Sequence, residues 1–176
     1  MRKFLVLAVA LVATGAFASD ITRASVVSEM NVRRAAFGLP PLHEDARLDE
    51  AADDRVEDME DQSYWNHVSP QGREPFEYLR PRGYDYQFAG ENLAAGFETT
   101  EVLVDAWMES NGHRENILSP MYRDCGVAIV EGSTTGRAIG KSIVVLFGRD
   151  RHDVSVAPQR AASEPSPKDR LRAPRR

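Results

Sequence analysis

Asp124-Cys125-Gly126-Val127-Ala128-Ile129-Val130 and Lys141-Ser142-Ile143-Val144-Val145-Leu146-Phe147 are two apolar runs of strand length, joined by a Gly132-Ser133-Thr134-Thr135-Gly136 loop. The apolar residues before them recur at helical spacing instead. Ile21, Ser25, Val26, Met30, Val32 and Phe37 mark a first helix that Gly38 stops. Leu39-Pro40-Pro41-Leu42 is an extended connection, because each Pro disfavours the helical conformation of the residue before it. Leu48, Ala51, Ala52, Val56 and Met59 form the stripe of a second helix, from about Asp45 to Gln62. A short helix is expected from about Glu74 to Arg82, followed by an irregular segment from Tyr84 to Glu98. Thr99 to Ser110 is a further helix with Val102, Leu103, Ala106 and Trp107 turned inward; Asn111-Gly112 closes it, and a brief turn follows around Glu115 to Leu118. Helices first and paired strands last give an α+β fold, a small antiparallel sheet packed by helices.

The two ends read differently from the middle. Arg2 and Lys3 precede an apolar run from Phe4 to Ala13, and Ala16-Phe17-Ala18 supplies a small-x-small pattern, so residues 1–18 are expected to be a cleaved signal peptide. The run is about half of the roughly 20 residues that a membrane-spanning helix needs. No second hydrophobic segment follows, so a mature chain with no transmembrane segment, secreted or periplasmic, is expected. From 151 to 176 Pro, Arg, Ser and Ala dominate, which predicts a disordered basic tail able to touch anionic envelope polymers. Residues 19–150 suffice for one domain.

That domain carries 13 basic and 24 acidic residues, a balance that argues against nucleic acid and favours cationic, neutral or metal ligands. Asp49, Glu50, Asp53, Asp54, Glu57, Asp58, Glu60 and Asp61 read as the solvated face of the second helix. Cys125 is the sole cysteine, so no intramolecular disulfide forms, and its apolar surroundings mark it as a small buried hydrophobe.

Familiar catalytic signatures are missing. His113-Arg114-Glu115-Asn116 lacks the second His that a His-Glu-x-x-His zinc site requires, and no Gly-x-Ser-x-Gly elbow is present. Gly136 to Ser142 is one residue short of a phosphate loop and leads into a strand rather than a helix. What remains is a scattered polar set: His67 in a turn, Glu91 and Asn92 after Gly90, and His113 past a helix end. Two imidazoles and a carboxylate suffice to hold zinc with water in the fourth position, or to form an acid/base pair; each also serves as an ordinary structural hydrogen-bonder.

Five ordered blocks carry a resemblance. They are Val32-Arg33-Arg34 with Gly38-Leu39-Pro40-Pro41-Leu42; His67-Val68-Ser69-Pro70 with Gly72; Gly90-Glu91-Asn92-Leu93-Ala94-Ala95-Gly96; Trp107-Met108, Ser110 and Gly112-His113-Arg114 with Asn116-Ile117-Leu118; and Gly126-Val127. Together they resemble the bacterial SCP-like branch of the CAP superfamily, the group of cysteine-rich secretory, venom allergen and plant pathogenesis-related proteins. The resemblance implies a three-layer α-β-α sandwich with a central cleft, in which His67 and Glu91 match two cleft residues. It departs where a second acid is expected and Ser110 stands, and where a late strand usually offers a His and Ser142 to Gly148 is apolar. His113 is the alternative second imidazole, with Asn92 and Ser110 in support.

Three functions follow as alternatives: a binding module whose cleft takes a lipid-like, peptide or envelope ligand, with or without a divalent metal; an extracellular peptidase-like hydrolase with zinc on His67 and His113 and Glu91 as general base; or residues that only brace the fold.

Overall fold

A computed structural model describes residues 20–132 and 140–153. The expected signal peptide, most of the β-loop after Gly132 and the expected tail beyond Asp153 lie outside the described residues. The elements are α1 (Arg23–Ala36), β1 (His43–Glu44), α2 (Ala46–Asp61), two 3₁₀ turns (Pro75–Tyr78 and Arg80–Arg82), β2 (Tyr86–Phe97), α3 (Thr100–Glu109), α4 (Asn111–Ile117), β3 (Asp124–Glu131) and β4 (Lys141–Asp150). Among them no helix is long and apolar enough to cross a membrane.

The strands lie in the order β1-β3-β4-β2. β4 pairs antiparallel with β3 and with β2. β1 runs parallel to β3, so the sheet is mixed where an antiparallel one was expected. The extended Leu39–Leu42 link brings the chain alongside β3 in the same direction, and β1 adds two residues there.

β4 is central and buried on both faces, which is why it reads as an unbroken apolar run. Ile143, Val145 and Phe147 pack with α1, α3 and α4 residues such as Met30, Leu103, Trp107 and Ile117. Val144 and Leu146 face the other way, toward Leu48, Ala52, Val56 and Met59 of α2 and toward Tyr78, Leu79 and Tyr84. These two cores on one sheet make the α-β-α sandwich. Cys125 lies in the first, fully buried, and burial pushes its thiol pKa well up, as befits a packing residue.

α2 sits directly on β3 at Gly126. A Cβ there would come within 2.1 Å of the Leu48 carbonyl carbon, so any side chain would push the helix off the sheet. The same approach explains a departure from the expected acid face. Asp49 is buried rather than solvated, and its Oδ1 accepts a 2.8 Å hydrogen bond from the Val127 amide. β1 pairs only as far as Cys125, so the helix carboxylate replaces the missing strand as acceptor.

Three further expectations shift. The segment from Tyr84 to Glu98 is not irregular but contains the long strand β2. The helix over Glu74–Arg82 is two 3₁₀ turns that meet at Leu79. Asn111-Gly112 does not end a helical region: extended Ser110 (ψ 122) breaks the axis, and Asn111 opens α4 where only a turn was expected.

Asp49→Ala leaves the Val127 amide buried without an acceptor and should cost about 1–3 kcal/mol by denaturant unfolding. Asp49→Asn keeps an acceptor oxygen and should lose less; equal losses would contradict the capping role.

Candidate functional site

The site grows from a charge on the wrong face of a helix. Arg55 falls within the apolar stripe of α2, between Ala52 and Met59, and none of its surface is exposed. Its guanidinium is held on every side. Nε donates to Glu91 Oε1 at 3.0 Å, Nη1 donates to the Tyr64 hydroxyl, and Nη2 donates to the carbonyls of Asn66 and His67 at 2.6 and 2.7 Å. Burial works against its charge, but Glu91 overrides that and keeps the pKa above its ordinary value. One side chain thus fixes both the carboxylate and the backbone of the loop that carries His67.

β-Strand alternation distributes the rest. Glu91 lies opposite Leu146 and faces the α2 layer, whereas Asn92 lies opposite Val145 and faces the α3/α4 layer. Glu91 Oε2 meets His67 Nδ1 at 2.6 Å, in a carboxylate only 1% exposed against an imidazole 54% exposed. The carboxylate raises the His67 pKa above its usual value, against an opposing contribution from burial. Nδ1 therefore carries the proton toward Glu91, and Nε2 is left for the solvent side.

On the other layer, Asn92 Nδ2 donates to the His113 carbonyl at 3.1 Å, and Asn116 Nδ2 donates to Asn92 Oδ1 at 2.9 Å. The His113 imidazole packs by Trp107, with ring centroids 6.4 Å apart, and its pKa is lowered by burial and by the charge of His67. Ser110 is the hinge between α3 and α4; its amide donates to the Trp107 carbonyl, and its side chain makes no capping bond.

The outer edge of β2 is closed by side chains. Tyr122 Oη donates to Ala89 O at 3.0 Å, Asn116 Nδ2 to Glu91 O at 3.0 Å, and Trp107 Nε1 to Leu93 O at 3.2 Å. Three alternate carbonyls of one edge strand are thus satisfied without a neighbouring strand. Gly90 is required at this seam, since a Cβ there would lie 2.5 Å from the Tyr122 hydroxyl. A cleft of about 320 Å³ opens beside the edge, walled by Phe76, Ala89, Gly90, Glu91, Asn116 and Tyr122, with His67, Glu74 and Pro75 completing it.

Of the sequence candidates, His67 and Glu91 are therefore joined in the cleft. Asn92, His113 and Ser110 lie outside its lining, and Asn92 reaches His113 through the backbone. For zinc, His67 Nε2 and the His113 ring are the available donors. Both Glu91 oxygens are engaged, and among the described residues no group of three or more His, Cys, Asp or Glu is placed to hold an ion. The donor set thus falls short of the three protein ligands usual for a catalytic zinc. Sequence reasoning missed Arg55, Phe76, Asn116 and Tyr122 as site residues. For Arg55 the signal was present, as a charge at a stripe position of α2.

His67 has a raised folded-state pKa, so its pairing with Glu91 stabilises fully below the ordinary value near 6.5 and is lost as pH rises through the raised value. The stability gap between the unmodified chain and His67→Ala should accordingly be widest in mildly acidic buffer and narrow above neutrality, as followed by melting temperature against pH. Arg55→Met takes the guanidinium from the buried Glu91, leaving it only the hydrogen bond from His67, and should cost about 3–5 kcal/mol.

Comparison with known proteins bears on the family and the fold. The profile of the cysteine-rich secretory protein family, CAP, matches residues 27–147. The uncharacterised protein YkwD of Bacillus subtilis (strain 168) is 42% identical over 118 residues, 66% of this chain and 46% of that protein. The uncharacterised membrane protein YlbC of the same organism is 34% identical over 99 residues, 56% of this chain and 29% of its own length. This chain thus spans less than half of either relative. Among solved structures, an extracellular protein containing a SCP domain from Bacillus anthracis str. Ames superposes with a TM-score of 0.62 at 27% identity, over 73% of this chain and 40% of that one. An outer surface protein from Borrelia burgdorferi shares the fold at TM-score 0.64 and 21% identity, over 77% of this chain and 100% of its own. With five sequence blocks, a two-core sandwich and a family profile spanning both, the chain belongs to the cysteine-rich secretory protein (CAP) family.

Proposed function

We propose that this chain is an exported binding module whose cleft beside β2 takes a peptide-like ligand. The carrying observation is the state of Glu91. Arg55 holds one oxygen and His67 the other, inside a carboxylate almost without exposure, so Glu91, the acid beside His67, is not free to deprotonate water. The cleft instead offers recognition groups: the rings of Phe76 and Tyr122, the exposed carboxylate of Glu74 and the half-exposed imidazole of His67. A lipid chain calls for an enclosed apolar channel, whereas this cleft is open at His67 and Glu74 and mixed in polarity. Export is supported by the leader pattern of residues 1–18 and by relatives described as extracellular and outer-surface proteins.

One feature favours hydrolysis. A His whose Nδ1 is fixed by a buried carboxylate is the base half of many catalytic dyads. Among the described residues, no Ser, Cys or Lys lines the cleft as a nucleophile beside it.

The test is an amide NMR titration with an acetylated Pro-Arg-Pro tripeptide and, separately, a fatty acid. Shifts confined to Phe76, Ala89, Gly90 and Tyr122 with the tripeptide are expected; shifts with the fatty acid alone would overturn the reading. Calorimetry with Zn²⁺ is expected to show no one-per-chain site, and peptide and ester substrates should remain intact. Stoichiometric zinc lost in both His67→Ala and His113→Ala, or turnover abolished by His67→Ala, would establish the hydrolase instead.

A further inference from the structure

We infer that a second binding site, for a linear organic dication of the polyamine class, lies between α2 and the first 3₁₀ turn, at Glu57, Asp58, Asp61 and the hydroxyl of Tyr78. It shares no residue with the cleft beside β2. Asp54, Glu57, Asp58 and Asp61 recur at the helical period, so their carboxylates fall along one side of α2. With Arg73 and Tyr78 from the chain that follows, they line a depression of about 240 Å³. An acidic face alone attracts only an atmosphere of counterions. The feature that marks a ligand position here is the Tyr78 hydroxyl. Tyr78 is 2% exposed, and its Oη has no hydrogen-bond partner. Burial, with the Asp58 carboxylate nearby, pushes the Tyr78 pKa up, so the group stays a phenol with free lone pairs. Both Asp58 oxygens are already engaged, one by Gln62 Nε2 at 2.7 Å and the other by Tyr64 Oη at 2.5 Å. Arg73 fixes the Tyr78 ring from above, its guanidinium carbon 3.6 Å from the ring centroid. A buried polar atom left unpaired costs free energy that a bound donor recovers.

The charge balance sets the class of ligand. Arg82 holds both oxygens of Asp54, at 2.7 and 2.5 Å. Arg73 offsets a second negative charge in the lining, and Arg55, 4.0 Å from Asp58, is already matched by Glu91. Of the four carboxylates, two charges therefore remain uncompensated. Glu57 and Asp61 are both exposed and sit one helical turn apart, about 6 Å along the axis. A single metal ion needs its ligands to converge, and among the described residues no group of three or more His, Cys, Asp or Glu does so. Carboxylates spread along a helix suit instead a cation whose charges are spread along a chain. One ammonium donates to Tyr78 Oη and Asp58, and the next to Glu57 or Asp61. An ammonium brings three donors and no acceptor, which is what a phenol lone pair and a carboxylate require together.

The experiment titrates the full mature chain with spermidine at about 0.15 M salt, where unspecific counterion attraction is largely screened. One saturable site per chain is expected, with amide shifts at Glu57, Asp58, Asp61, Arg73 and Tyr78 and none at Ala89, Gly90 or Tyr122. Tyr78→Phe keeps the ring under Arg73 and removes only the unpaired oxygen. It should melt no lower than the unmodified chain, yet bind spermidine about tenfold more weakly. Asp61→Asn and Glu57→Gln, both at exposed positions, should each weaken binding severalfold with unchanged melting. Equal affinity in a folded Tyr78→Phe, shifts of the same amides by Mg²⁺ at the same charge concentration, or no saturable site would each overturn the inference. Should Tyr78→Phe melt early, unchanged affinity in Asp61→Asn and Glu57→Gln would overturn it instead.

Discussion

A guanidinium taken fully out of water must be matched donor by donor, and Arg55 imposes that condition on everything around it. Its partners come from three places distant in sequence: Glu91 on β2, the Tyr64 hydroxyl, and the carbonyls of Asn66 and His67 in the following loop. If any of these moves, a buried charge is left uncompensated. The loop that presents His67 is therefore tied to the helix beneath it, although it has no regular structure. The Arg55–Glu91 pair is also self-neutralising, so His67 joins a site without excess charge. Its affinity for a proton is tuned chiefly by its own hydrogen bond to Glu91.

The second constraint is the exposed edge of β2. A 12-residue edge strand with bare carbonyls would be open to pairing with other chains. Trp107, Asn116 and Tyr122 close it with an indole, an amide and a phenol in place of another strand. This explains why the Trp107 and Asn116 blocks accompany the Gly90-Glu91-Asn92 block: one supplies donors at the spacing of the other's carbonyls. It also explains why the cleft lies there, since side chains that cap an edge cannot fill the space beside it as a strand would.

Much of the fold was legible because its cores are simple. α1, α2, α3, β3 and β4 announce themselves through apolar period, and β4 through burial on both faces. β2 was not legible, because its central residues, Glu91 and Asn92, are polar and buried on opposite faces, which masks the alternation a strand should show. Ser110-Asn111-Gly112 looks like a stop yet only bends the path into α4. Asp49 was assigned to solvent, as a charge on a helix is by default, and Arg55 drew no reading although it stands in the apolar stripe. The exceptions arise where a strand edge lacks a partner or a buried carboxylate needs a counter-charge, and both conditions are tertiary. The site was half visible, since the resemblance pointed to His67 and Glu91 and the pairing partners lay in unremarked positions.

The direction of the sheet sets how such a domain can be used. The chain enters at Asp20, bridged to Thr99, and Lys141 at the start of β4 donates to the Ile21 carbonyl. The cleft lies toward the other end of β4, where Ala89 and Gly90 pair with Gly148 and Phe147. At about 3.3 Å per residue, roughly 20 Å of strand separates the two. Whatever precedes Asp20 therefore attaches at the end of the sheet away from the cleft, and the chain past Asp150 leaves at the cleft's own end. An attachment before Asp20 is thus set about the length of β4 away from the cleft.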